Sequence, residues 1–101
     1  MTPEQLNELA GIVCEQLNEQ PGGQAAPGVK HHMLAQGAAA VMQLTQEAQQ
    51  IEEAGGLRRL DGGRRTLGGV YFQLAKARGW LTNTQKARRF VAEWERKKGV
   101  G

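Results

Sequence analysis

The 101-residue sequence predicts an all-α fold, a small array of about five helices with an arginine/glycine-rich loop between the third and the fourth. Apolar residues recur at spacings of three and four over most of the chain, as they do on one face of a helix. Threonine-led capping signals stand at Thr2, Thr66 and Thr82, and glycine or proline separates the periodic stretches. No segment alternates apolar and polar residues as a half-buried strand does, and no internal repeat is present.

The first helix is expected over about residues 3–20. Thr2 offers a capping hydroxyl, Pro3 suits the first helical position, and Gln5 is placed to reach back to the Thr2 amide. Leu6, Leu9, Val13 and Leu17 form its apolar stripe, with Ile12 and Cys14 widening it, until Gln20-Pro21-Gly22-Gly23 interrupts the pattern. Pro27 opens a second, short helix in which Val29, Met33 and Leu34 share a face before Gly37. From Gly37 to Ala54, alanines and straight-chain residues predict a third helix, with Val41, Leu44, Ala48 and Ile51 inward and Gly55-Gly56 closing its end.

Leu57 to Arg65 holds the turn signal Asp61-Gly62-Gly63 between two pairs of arginines, compatible with an open loop or a short hairpin. Thr66 caps a fourth helix running to about Arg78. There Val70, Tyr71, Phe72, Leu74 and Ala75 cover more than half of the circumference, which marks the helix as central to the core and leaves Gly69, Gln73 and Lys76 as a narrow polar strip. Thr82-Asn83-Thr84-Gln85 reads as a second capping box, opening a fifth helix with Ala87, Phe90, Val91 and Trp94 inward. Trp80 is expected to close the turn between the last two helices.

The length suits a single domain, residues 1–101, and 40% hydrophobic with 23% charged residues is the usage of a folding chain rather than a disordered one. The start of the chain carries no basic and apolar leader, and no apolar run approaches a membrane span, so the expectation is an intracellular, cytoplasmic protein with no membrane partner. Cys14, the only cysteine, excludes an internal disulfide and a thiolate zinc cluster, and is expected as a small buried hydrophobe. Adjacent His31 and His32 point about 100° apart on a helix and do not share a metal in the usual geometry, so no metal and no cofactor is expected. Serine is absent, no nucleophile, base and orienter stand in a hydrolytic pattern, and the chain is read as not an enzyme.

Charge is distributed very unevenly. Residues 1–54 hold seven glutamates against Lys30, a net −6, whereas residues 55–101 hold twelve lysines and arginines against Asp61, Glu93 and Glu95, a net +9. A basic half of this kind seeks a polyanion, because each neutralised phosphate releases condensed counterions; general solubility is the plainer explanation. Arg58, Arg59, Arg64 and Arg65 are the candidate phosphate contacts, set against a merely solvated loop. With Thr66 as cap, Gly68 and Gly69 fall in the first turn, where free amides and the helix dipole favour an anion and the missing side chains permit close approach; close packing of a neighbouring helix is the compatible alternative. The spacing is not that of a Walker loop, and no lysine follows the glycines. Tyr71, through its hydroxyl end, and Phe72 are the aromatics placed to stack a base, while Phe90, Trp94 and Trp80 are read as core.

Gly55-Gly56-Leu57, then Gly63-Arg64-Arg65-Thr66, then Gly68-Gly69-Val70 and Leu74 to Lys76 resemble the signature of the RNA-binding domain of the phosphorylated adaptor for RNA export. Ala40 to Leu44 and Glu52 to Ala54 are similar to that family's third helix, and the good match covers about residues 38–78. The resemblance implies a helical array binding single-stranded RNA with little sequence preference through the loop and the flanking helix ends. Taken with the charge and capping pattern, this makes Arg58, Arg59, Arg64, Arg65, Thr66, Gly68, Gly69, Tyr71, Gln73 and Lys76 the candidate RNA-site residues. Leu67 stands where the family has proline, a change expected to loosen the cap only slightly. The segments through which the export adaptor meets its protein partners have no counterpart in this sequence, so nuclear export is not carried over from the resemblance, and a small RNA-binding or RNA-chaperone-like protein is expected. The resemblance names no protein partner. The competing expectation is a module whose basic half docks an acidic protein; duplex DNA is disfavoured because the glycine-rich helix start offers few base-reading side chains.

Overall fold

The computed structural model describes residues 1–99, and its architecture is all-α: α1 (Pro3–Gln16), α2 (Ala26–Gln36), α3 (Ala38–Glu53), α4 (Leu67–Ala77) and α5 (Thr84–Gly99). Thr2 caps α1 as its sequence requires, accepting from the Gln5 amide while the Gln5 side chain accepts from the Thr2 amide. The helix stops short of the expected residue 20. Asn18 takes a left-handed φ of 59°, and the Glu19 amide turns back to the Cys14 carbonyl at 2.7 Å, closing the last turn. The Gly56 amide on Ile51 (2.8 Å) and the Trp80 amide on Ala75 (3.0 Å) close α3 and α4 in the same way. Between α2 and α3 a single residue, Gly37, makes the corner at φ 91°, ψ 151°, a region that is essentially closed to other residues.

The fifth helix departs from its expected cap. It begins at Thr84, and Asn83, not Thr82, caps it: the Asn83 Oδ1 accepts from the Lys86 amide at 3.0 Å. Asn83→Ala is therefore expected to cost about 1 kcal/mol, lowering the thermal midpoint by roughly 4–8 °C. Thermal unfolding followed by circular dichroism checks this, and a larger loss in Thr82→Ala would contradict the assignment.

The core is built from Leu6, Val13, Cys14 and Leu17 of α1 and its end, Val29 and Met33 of α2, Val41 and Leu44 of α3, and Val70, Tyr71 and Ala75 of α4. The hub is α2 rather than α4: α2 packs against α1, α3 and α5, whereas α4 lies chiefly on α3. Ala26, Gly28, Val29, His32 and Met33 are all buried, so α2 hides nearly half its circumference, but two of those residues do not read as apolar core. Two expected core residues lie outside. Ile12 is 41% and Phe90 45% exposed, the latter resting edge-on against His31 with ring centroids 4.6 Å apart. Trp80 does close the last turn, its ring 5.1 Å from that of His32. Among the described residues, no helix is long and apolar enough to cross a membrane.

Candidate nucleic-acid interface

The segment joining α3 to α4 is a hairpin, which settles the choice between open loop and hairpin. Arg58 and Arg64 face each other in an antiparallel bridge, the Arg65 amide donates to the Leu57 carbonyl at 2.7 Å, and the Arg59 amide to the Gly63 carbonyl at 2.5 Å. The tip turns through Gly62 at φ 88°, with the Asp61 carboxylate accepting from the Gly63 amide at 2.9 Å. A single bridge pair does not hold a hairpin by itself. Its anchor is Arg64, whose guanidinium pairs with the Glu52 carboxylate and also donates to the Glu52 carbonyl at 3.0 Å. That route crosses Gly56, where a Cβ would lie 2.5 Å from the Arg64 Nε. Glycine is thus needed at 56 both for its φ of 79° and for the arginine laid across it.

The four arginines consequently differ. Arg64 is committed to the end of α3 and remains half exposed. Arg59 is exposed and within 3.5 Å of Asp61, an open pair of small energetic weight. Arg58 is exposed, reaching the Gly62 carbonyl at 3.3 Å, and Arg65 is half-buried beside the start of α4. Neither Arg58 nor Arg65 has a carboxylate within 4 Å among the described residues. At the tip of the hairpin, between Arg59 and Asp61, Leu60 is a fully exposed apolar residue, which the sequence does not mark as distinct from its neighbours.

At the start of α4 the Thr66 hydroxyl accepts from the Gly69 amide at 3.1 Å, so its role is the helix cap. The expected open glycine pair is only half open. Gly69 is partly exposed, but Gly68 is buried, with the Glu19 side chain against it so closely that any Cβ at 68 would overlap its carboxylate. The missing side chain at 68 therefore makes room for the Glu19 side chain rather than for an approaching ligand. Nothing local in the sequence signals the contact, which depends on how the end of α1 meets α4. Beyond Gly69, Gln73 and Lys76 are exposed on the same face of α4, whereas Arg78, on the opposite side, makes an ion pair of 2.6 Å with Glu47 of α3.

Tyr71 is also corrected. It is fully buried, its hydroxyl 2.9 Å from the His32 Nδ1, while the His32 Nε2 lies 2.6 Å from the Leu81 carbonyl. A carbonyl only accepts, so Nε2 carries the proton and Nδ1 accepts from the tyrosine. Burial, and secondarily the nearby Cys14, pushes the Tyr71 phenol far above its ordinary range, and the residue is a core polar link rather than a base platform. Burial lowers His32 below its usual 6.5 against the raising effect of the Leu81 hydrogen bond, and lowers His31 as well. Burial, then the charge of Glu19, raises the Cys14 thiol, which keeps it protonated. Phe72 is half-buried with its ring over Gly28, where a Cβ would meet the Cε1 at 2.8 Å.

A protein-family model described as the phosphorylated adapter RNA export protein, RNA-binding domain, matches residues 10–95, a longer stretch than the 38–78 over which the resemblance is plainest. No curated protein and no solved structure matches the chain.

Proposed function

The chain belongs to the RNA-binding domain family of the phosphorylated adapter RNA export protein, and from that premise we propose that it is a non-enzymatic binder of single-stranded RNA whose main phosphate contacts are the hairpin arginines. The observation that carries this reading is the hairpin itself, which carries Arg58, Arg59 and Arg65, the last beside Gly69 at the head of the Gly69–Gln73–Lys76 strip, and is tied to α3 by Arg64. A turn anchored in this way presents its guanidiniums with less ordering cost than a free loop, and arginine forks match phosphate oxygens. Single-stranded RNA fits better than a duplex, because the exposed strip of α4 offers just Gln73 and Lys76, too little to read a groove, whereas a splayed strand brings its phosphates to the hairpin and its bases to the flanking surface. Tyr71 and Gly68 make no contact in this scheme.

Fluorescence anisotropy with a labelled single-stranded RNA, the matched RNA duplex and single-stranded DNA at about 50 and about 200 mM salt tests the proposal. The expected result is preference for the single-stranded RNA, with log K falling by about 0.7 per decade of salt for each phosphate contacted. Absence of binding at the lower salt would overturn it and leave an acidic protein as the partner of the basic half.

A further inference from the structure

Beside the hairpin lies a cleft of quite different character. It is formed between the α1–α2 turn and the start of α4, has a volume of about 240 Å³, and is lined by Glu19, Gln24, Phe72, Thr82 and Thr84 over a floor containing Gly28, Gly68 and Gly69. No lysine or arginine lines it. Glu19 is half-buried, has no cation within 4 Å among the described residues, and is held against Gly68. A fixed, unneutralised carboxylate repels phosphate, so the part of a nucleotide that enters here is the uncharged base. The cleft itself is the room for a flat ring, the Phe72 ring supplies an apolar wall, and the amide and hydroxyls of Gln24, Thr82 and Thr84 offer hydrogen bonds to its edges. Arg65 stands at the rim, its Cβ 3.6 Å from where a Cβ on Gly69 would be, so a strand whose phosphate meets Arg65 has a base within reach of the cleft.

We propose that this cleft is a nucleobase subsite selective for guanine, with the Glu19 carboxylate accepting from guanine N1–H and N2–H. The inference rests on the RNA-binding reading and adds to it a base preference. An ionised carboxylate is an acceptor with two oxygens, and it is matched by an edge that presents two adjacent donors. Guanine alone does so on its Watson–Crick edge. Adenine and cytosine set a ring-nitrogen lone pair beside the amino group, and uracil flanks its N3–H with two carbonyl oxygens, so each brings lone pairs against the carboxylate. Guanine O6 and N7 then remain to accept from Gln24, Thr82 or Thr84.

The test uses the whole chain and three short oligouridylates: one unmodified, one with a single central guanosine, and one with inosine at that place, which lacks the 2-amino group. The wild-type protein is expected to bind the guanosine oligomer about tenfold tighter than the unmodified one, as a good bidentate pair discriminates, with inosine between them. Glu19→Gln is expected to abolish the preference while binding the unmodified oligomer at least as well as the wild type. Equal binding of all three oligomers by the wild type, or a guanosine preference that survives in Glu19→Gln, overturns the subsite and leaves RNA binding standing. Failure to bind any of the three overturns the RNA reading and the subsite with it.

Discussion

Replacing Arg59 and Arg65 together by alanine is expected to weaken single-stranded RNA binding by roughly ten- to a hundredfold, since a charge-assisted hydrogen bond contributes about 1.5–3 kcal/mol when desolvated and less when exposed. The loss should be uniform across RNA sequences, because phosphates carry no base information. The salt dependence should flatten by about 1.4 in the slope of log K against log salt, the share of two phosphate contacts on a single strand. Folding should be nearly unchanged: Arg59 has only an exposed pair with Asp61, and Arg65 has no carboxylate partner within 4 Å among the described residues. Arg64→Ala is expected to behave differently. Its guanidinium ties the hairpin to Glu52, so its removal frees the hairpin, lowers affinity through loss of order as well as charge, and costs stability. Titrations of both variants at several salt concentrations, alongside thermal melts, separate the two roles. Wild-type affinity and slope in the Arg59/Arg65 double variant would sink the assignment of the hairpin as the phosphate site.

The largest effect on stability is expected at His32. In His32→Leu the side-chain volume stays roughly filled, but the buried Tyr71 hydroxyl loses its acceptor and the Leu81 carbonyl its donor. Each group left unpaired costs about 1–3 kcal/mol, so a total of roughly 2–4 kcal/mol is expected, the carbonyl contributing less because it is only partly buried. Tyr71→Phe should cost less by itself, and the double variant less than the two losses added, because both remove the same bond. Chemical denaturation of the four proteins measures the coupling, and strict additivity would show that the bond has no net weight. The same ring makes stability depend on pH. Burial lowers the folded-state value of His32 below 6.5, and that of His31 likewise, so below about pH 6.5 the unfolded chain binds more protons than the folded one. The stability these rings contribute is full above pH 6.5 and declines as pH falls through the window down to their folded values. His32→Leu should show a shallower decline over that range.

The contrast between Arg64 and His32 on one side and the helix pattern on the other shows which information is local. Five helices, the Thr2 and Thr66 caps, the Gly37 corner and the basic second half were legible in the sequence, because capping, proline and glycine preferences and a 3.6-residue apolar period act between near neighbours in the chain. Where two local signals overlapped, at Thr82 and Asn83, the sequence pattern chose the threonine and the chain chose the asparagine. The membership of α2 in the core was blurred because its buried face contains His32 and Gly28, residue types that do not announce burial. Tyr71 and Phe72 stood one residue apart on the same apolar arc, and only the position of α2 decides that the first is sealed and the second lines a cleft.

By itself the sequence determined an all-α chain with an arginine-rich connection before a glycine-opened helix, and the family to which those residues belong. The tertiary structure alone decided that the connection is a hairpin pinned by Arg64 to Glu52, that Tyr71 is sealed against His32, and that Glu19 covers Gly68. Each of these joins residues far apart in the chain, and contact at such separation is set by how whole helices pack, which residue type and local spacing do not encode.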